Sequence, residues 1–269
     1  MRIIISPAKK MNDWGDLISG AGLSMKPPVF LEEASRLQKS LADMGYEELR
    51  ALWRCNEKIA AKGWQRLQDY SIQGCKDKAK KTGRSLEDCY LSLCTPALLA
   101  YEGIQYQYMA PQVFTRGQWE YAQEHLRILS GFYGILCPMD GVVPYRLEMQ
   151  AKLSAGGAGD LYGYWGRRIF DELTKDCDLV VNLASKEYSK AVEKYRSPGI
   201  RFVSCVFGEE KDGKIRVKGT RAKMARGEMV RYLTECRAQS SEQLKAFTGL
   251  GYRFVPEISS KDQYVFVHN

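Results

Sequence analysis

The sequence has no apolar run of 18 residues, no Cys-x-x-Cys pair and only two histidines, His125 and His268. The first absence excludes a membrane-spanning helix, and the other two leave no ligand spacing for zinc or an iron store, so no metal or cofactor is expected. The eight cysteines (Cys55, Cys75, Cys89, Cys94, Cys137, Cys177, Cys205, Cys236) are scattered, with no disulfide framework. They read as reduced thiols of a cytoplasmic protein. The glycine-rich piece Ser154–Gly159 (SAGGAG) lacks the Gly-Lys-Ser/Thr ending of a phosphate loop and reads as a flexible connector. The opening Met-Arg-Ile-Ile-Ile-Ser-Pro has too short an apolar stretch for a signal peptide and is expected to be a buried first strand. With no repeat or low-complexity linker, one domain over residues 1–269 is expected.

What is present is basic and unevenly charged. The 269 residues are 45% apolar, enough for one large core or two modest ones, and carry a net charge of +8. Between Gly213 and Arg237, eight cations (Lys214, Arg216, Lys218, Arg221, Lys223, Arg226, Arg231, Arg237) face two carboxylates (Glu228, Glu235), a local balance of +6. That is the footprint of a polyanion partner, although a solvated helix face accounts for the same charges.

Strand-like runs rich in β-branched and aromatic residues occur at Arg2–Ser6, Cys89–Cys94, Asp178–Ala184, Arg201–Phe207, Lys214–Lys218, Tyr252–Val255 and Tyr264–Val267. Asp212-Gly213 is a hairpin signal. Helical periodicity covers Leu31–Leu41, Tyr46–Arg54, Lys58–Tyr70, Trp119–Leu129, Trp165–Thr174, Lys186–Tyr195, Arg221–Cys236 and Ser241–Thr248, whereas lysine-rich Lys76–Arg84 reads as a mobile loop. The interleaving predicts a mixed α/β (α+β) class, a mixed sheet flanked by helices.

The densest chemistry lies in Gln123–Met149, where His125 and Arg127 precede a glycine-punctuated turn at Gly131 and Gly134. Pro144–Met149 then reads as a strand with Arg146 and Glu148 on one face, beside Tyr145. Ser6 and Lys9 follow the first strand, where α/β proteins place ligand-binding groups. Lys9 is a candidate phosphate ligand, base or nucleophile, and equally an exposed loop lysine. Asn182-Leu183-Ala184-Ser185 leads from a strand into a helix, so Ser185 can cap it and create an anion seat near Glu187 and Tyr188. Tyr162 and Trp165 supply core or a stacking platform.

On Arg221–Cys236, an apolar stripe of Ala222, Ala225, Met229, Leu233 and Cys236 places Arg226 about 40° from its centre. Arg226 is therefore expected to be paired or aimed into a cleft, with Lys223 turned to solvent and Gly227 allowing close backbone approach. Residues 46–70 can be laid over a helix-hairpin-helix in which Arg54 and Asn56 take the tight positions and Lys58 and Lys62 follow, or over an ordinary helix–helix corner.

In chain order, Ser6-Pro7-Ala8-Lys9, His125-Leu126-Arg127-x-Leu129-Ser130-Gly131-x-Tyr133-Gly134, Pro144-Tyr145-Arg146-Leu147-Glu148-Met149, Leu161-Tyr162-x-x-Trp165-Gly166, Asn182-Leu183-Ala184-Ser185-x-Glu187-Tyr188 and Lys223-x-Ala225-Arg226-Gly227 resemble the YaaA family of peroxide-stress proteins from first strand to last. The resemblance implies a bacterial cytoplasmic protein with a family-specific mixed α/β fold, a basic cleft, a helix-hairpin-helix and double-stranded or junction DNA as partner. No membrane partner is implied, and a monomer is expected. A role in limiting free iron is also attributed to the family, which the paucity of histidine argues against here. The chain departs from the family pattern at Cys137, where relatives carry arginine, and at Lys10-Met11. Binding DNA needs cations but not the polar set of Glu148, Tyr162 and Asn182, so an enzyme acting on a nucleotide or other small phosphorylated ligand is the alternative.

Overall fold

The computed structural model describes residues 1–12, 24–211 and 213–268. The chain forms two compact units, one from Met1–Ser6, Glu102–Arg127 and Phe170–Asn269, the other from Pro7–Tyr101 and Ile128–Ile169.

The first unit is built on a mixed sheet. Strands Arg2–Ile5, Leu179–Asn182, Arg201–Lys211 and Gln263–His268 pair in parallel in that order, with Ile3 opposite Val181, Val180 opposite Phe202 and Val265 opposite Val206. Tyr252–Phe254 closes one edge antiparallel to Gln263–His268. These strands are near-continuous apolar runs because a sheet covered on both faces has no solvent side to alternate with, and Ile3, Ile4 and Ile5 are all buried. The strand Lys214–Arg216 folds back on Arg201–Lys211, with Lys214 opposite Lys211. Gly213 in its turn has φ +69, while Asp212 lies outside the described residues.

Helix Gly219–Glu235 packs on helix Ile104–Met109 through the expected stripe: Ala222, Ala225, Met229 and Leu233 are buried. Gly227 makes the contact close, since a Cβ there would lie 2.1 Å from the Gln105 carbonyl oxygen. Cys236 departs from the stripe: it caps the helix and is exposed.

The second unit is largely helical, with Leu31–Ala42, Tyr46–Trp53, Glu57–Asp69, Ile72–Thr82 and Leu86–Leu91. Gly134–Leu136 pairs antiparallel with Ile128–Ser130, and Thr95–Pro96 with Gly141–Val142. Gly131 lies so close to the 147–149 segment that a Cβ would meet the Leu147 carbonyl oxygen at 2.6 Å. Trp165 donates its indole N–H to the Gly131 carbonyl at 2.9 Å.

Several local expectations are corrected. Cys89–Cys94 is no strand, because Ser85 caps a helix by accepting the Asp88 amide at 2.9 Å. Lys76–Arg84 is not a loop: Ser71 caps Ile72–Thr82, and Gly83, at φ +69, ends it. The periodicity at Trp119–Leu129 conceals a boundary, since helix Arg116–His125 gives way at once to strand Leu126–Ser130. Pro144–Glu148 belongs to no strand. Ser154–Gly159, expected as a connector, is a tight turn in which Ala155 and Ala158 exchange hydrogen bonds around Gly156 (φ +56) and Gly157 (φ +82). Positive φ at both central residues is what glycine supplies there.

Candidate functional site

In the second unit the structure brings Lys9, Arg146 and Glu148 together. Lys9 Nζ lies 3.0 Å from Glu148 Oε1, and Arg146 Nη2 lies 3.4 Å from the same oxygen. Arg146 Nη2 also donates to the Trp53 carbonyl at 3.4 Å, tying the 144–148 segment to the end of helix Tyr46–Trp53. The Arg146 and Glu148 side chains are 14% and 20% exposed, while that of Lys9 is 68% exposed. The strand expected to align Arg146 with Glu148 is absent, yet the two meet.

The neighbouring Tyr145 is held by its hydroxyl, which hydrogen-bonds with Ser130 at 2.6 Å and Tyr101 at 2.7 Å. Burial pushes its phenol up to about 12, partly offset by those two hydroxyls. It is a fixed neutral donor and acceptor. Tyr162 is half-buried, and Trp165 is fully buried as core.

A cavity of about 280 Å³ opens beside this cluster, lined by Met44, Glu48, Ala51, Leu52, Trp53, Arg54, Glu148, Gln150, Ala151 and Lys152. Two buried donors here have no hydrogen-bond partner, Trp53 Nε1 and Arg146 Nε. Such orphans are uncommon in folded proteins.

Arg54 ends the helix in the left-handed region, φ 46 and ψ 53, and Asn56 caps helix Glu57–Asp69 by accepting the Ile59 amide at 3.0 Å. Only one of the two tight positions is thus left-handed. Arg54, Asn56, Lys58 and Lys62 are all exposed at the surface, and Gly63 lies against the Trp53 ring.

In the first unit Ser6, Asn182 and Ser185 meet. Ser6 Oγ accepts the Ser185 amide at 2.8 Å and donates to Ser185 Oγ at 3.1 Å, while Tyr106 donates to the Ser6 carbonyl at 3.0 Å. Ser185 holds the cap position of helix Lys186–Glu193 without a side-chain capping bond. Asn182 accepts the Ala184 amide at 2.9 Å and donates to Ser204 Oγ at 3.1 Å and Glu193 at 3.3 Å. Its side chain fixes the strand-to-helix turn, and Tyr188 is buried one turn into the helix. His125 Nδ1 bonds to the Met1 carbonyl at 2.9 Å with its ring 4.3 Å from that of Tyr121, and burial holds its pKa below the usual value. Arg127 donates to the Gln123 and Leu126 carbonyls.

Lys223 is exposed, and Arg226 is half-buried on the same helix. Burial lowers the Arg226 pKa, and Cys205, whose thiol burial pushes up to about 12, is its one resolved electrostatic neighbour. Among the described residues no carboxylate pairs with Arg226, and its Nε has no partner. Lys9 and Arg226 belong to different units.

Sequence reasoning missed Trp53, Tyr106 and Ser204. Trp53 alone left a signal, an aromatic at a helix end beside Arg54. Among the described residues no three His, Cys, Asp or Glu side chains cluster as metal ligands, and no helix is long and apolar enough to cross a membrane.

Residues 1–258 match the family model described as peroxide stress protein YaaA. A UPF0246 protein of Desulfitobacterium hafniense (strain Y51) is 50% identical over 267 residues, covering 99% of this chain and 98% of its own. UPF0246 proteins of Lachnoclostridium phytofermentans and Ligilactobacillus salivarius are 43% and 44% identical, covering 99% and 100% of this chain and 96% and 100% of their own.

Proposed function

The chain belongs to the peroxide stress protein YaaA family, and on that footing we propose that it binds duplex or junction DNA with little sequence preference, as a cytoplasmic monomer acting in the peroxide response. One observation carries the reading. Lys211, Lys214, Arg216, Lys218, Arg221 and Lys223 are all exposed along the Arg201–Arg216 hairpin and the start of helix Gly219–Glu235. Glu209 engages Lys218 at 2.6 Å and also Arg221, which orders those two side chains at the surface. Cations so displayed reach phosphate oxygens and carry no base readout.

The helix pair Tyr46–Trp53 and Glu57–Asp69 acts as a second grip, in the manner of a helix-hairpin-helix. Arg54 in its left-handed conformation turns the chain so that the start of the second helix, with Lys58 and Lys62, faces a phosphate. Fluorescence anisotropy with a duplex and a four-way junction at about 50 and about 200 mM salt tests the proposal. Affinity is expected to fall steeply with salt, and Lys214→Ala with Arg216→Ala and Lys218→Ala is expected to flatten that slope. No binding at the lower salt, or binding indifferent to salt, removes the reading.

A second reading, chemistry on a small phosphorylated molecule, draws on Arg226. A half-buried guanidinium with an enclosed, unpartnered Nε and no carboxylate is costly, and an anionic ligand offsets the cost. Arg226→Ala is then expected to leave unfolding stability almost unchanged while abolishing retention of such a ligand. A large loss of stability assigns Arg226 to the fold instead.

A further inference from the structure

We propose that the cavity beside Trp53 is a binding site for a phosphate monoester, the dianionic group carried by a small organic phosphate or by the end of a nucleic-acid strand. The inference stands apart from the duplex reading, because it needs no phosphodiester backbone.

The cavity, about 280 Å³, is close to the lower end of small-molecule sites. Both carboxylates of its wall are already engaged. Glu148 is held by Lys9 at 3.0 Å and Arg146 at 3.4 Å, and Glu48 Oε2 takes the Gly45 amide at 2.8 Å. The donors are left over. Trp53 is only 4% exposed and its Nε1–H has no acceptor, nor has Arg146 Nε. The benzene edge of the indole faces helix Glu57–Asp69, where a Cβ on Gly63 would meet Trp53 Cζ3 at 2.7 Å. The N–H, on the opposite edge of the ring, therefore points away from that helix.

Arg54 and Lys152 line the mouth, exposed, and neither pairs with a carboxylate among the described residues. The lining itself is balanced, Arg54 and Lys152 against Glu48 and Glu148, and the two cations held on Glu148, Lys9 and Arg146, bring the local balance to +2. A monoester, with a second pKa of about 6, brings up to two negative charges at neutral pH, whereas a diester brings one. The monoester therefore matches both the charge and the unused donors. Met44 and Leu52 supply apolar wall for the organic part of the ligand.

Calorimetric titration of the full chain with adenosine 5′-monophosphate, adenosine 3′,5′-cyclic monophosphate and adenosine tests the site. The monoester is expected to bind saturably, about tenfold or more tighter than the cyclic diester, with no binding of adenosine. Absent monoester binding, or equal affinity for the diester, overturns the proposal. Trp53→Phe keeps a ring and removes the N–H, and is expected to weaken the monoester about tenfold. Lys152→Ala, at an exposed position, gives a several-fold loss and stands in should Trp53→Phe fail to fold. Unchanged affinity in Lys152→Ala together with a folded Trp53→Phe overturns the assignment, as does unchanged affinity in Lys152→Ala alone if the other variant is unfolded.

A single-stranded oligonucleotide with a 5′-phosphate, compared with its 5′-hydroxyl twin, separates the two sources. Preference for the phosphorylated end assigns the site to strand ends, and equal binding with the nucleotide retained assigns it to free phosphates. Duplex lacking terminal phosphates is expected to bind Trp53→Phe as it binds the parent chain. Nucleotide binding without duplex binding removes the DNA reading and upholds this one; the reverse removes this one alone.

Discussion

Arg146 Nη2 donates to the main-chain carbonyl of Trp53 at 3.4 Å, a bond between residues 93 positions apart in the chain. The same nitrogen reaches Glu148 at 3.4 Å, so one guanidinium joins a helix end, a segment outside any strand and an acid. Removing it leaves a carbonyl and a half-buried carboxylate with one cation fewer. Arg146→Ala is expected to lower unfolding stability by about 2 kcal/mol, measured by urea titration. Arg146→Lys is expected to recover only part of this, because an ammonium cannot copy the geometry of the fork.

Gly227 and Gly159 predict opposite outcomes for one substitution. At Gly227 the added methyl meets a main-chain oxygen at 2.1 Å, which only a shift of helix Ile104–Met109 or Gly219–Glu235 relieves. Gly227→Ala is expected to cost about 1–3 kcal/mol or more, read as a lowered melting temperature. At Gly159 nothing lies within 4 Å, and Gly159→Ala is expected to stay within about 0.5 kcal/mol of the parent.

His125 sets a pH dependence whose sign follows from its burial. Its folded-state pKa is below the usual value of about 6.5, so below that pH the unfolded chain binds a proton that the folded chain refuses. The contribution of neutral His125 is present above the unfolded pKa. It is lost as pH falls from there toward the folded pKa, beyond which the loss stops growing. Thermal unfolding between about pH 7.5 and about pH 5.5 is expected to drop less steeply in His125→Gln than in the parent chain.

Lys58 and Lys62 separate the phosphate grip from an ordinary helix corner. Both are exposed on the outer surface of helix Glu57–Asp69, so Lys58→Ala with Lys62→Ala is expected to spare folding. If that helix grips DNA, duplex affinity weakens and the salt slope shrinks by roughly one for each phosphate that is no longer neutralised. Unchanged affinity and slope in anisotropy titrations return the segment to the role of a corner.

What the sequence by itself determined were features that act over a few residues. The apolar runs at Ile3–Ile5 and Leu179–Val181 form buried parallel strands, and the Ala222–Leu233 stripe buries with Gly227 at the close contact. Periodicity, caps and the conformational freedom of glycine are written locally, so they are legible locally. The same locality misled at Trp119–Leu129, where a helical pattern runs on into residues that the sheet claims, and at Cys89–Cys94, where the cap Ser85 outweighs β-rich composition. Only the tertiary structure decided what the polar residues do. Ser6 meets Ser185 across 179 positions, and Asn182 turns its side chain to Ala184 and Ser204. The unpartnered N–H of Trp53 sits on an indole whose benzene edge packs against Gly63, ten residues away. A hydrogen bond is a matter of distance and direction between groups that distant segments deliver, and no spacing along the chain encodes that meeting.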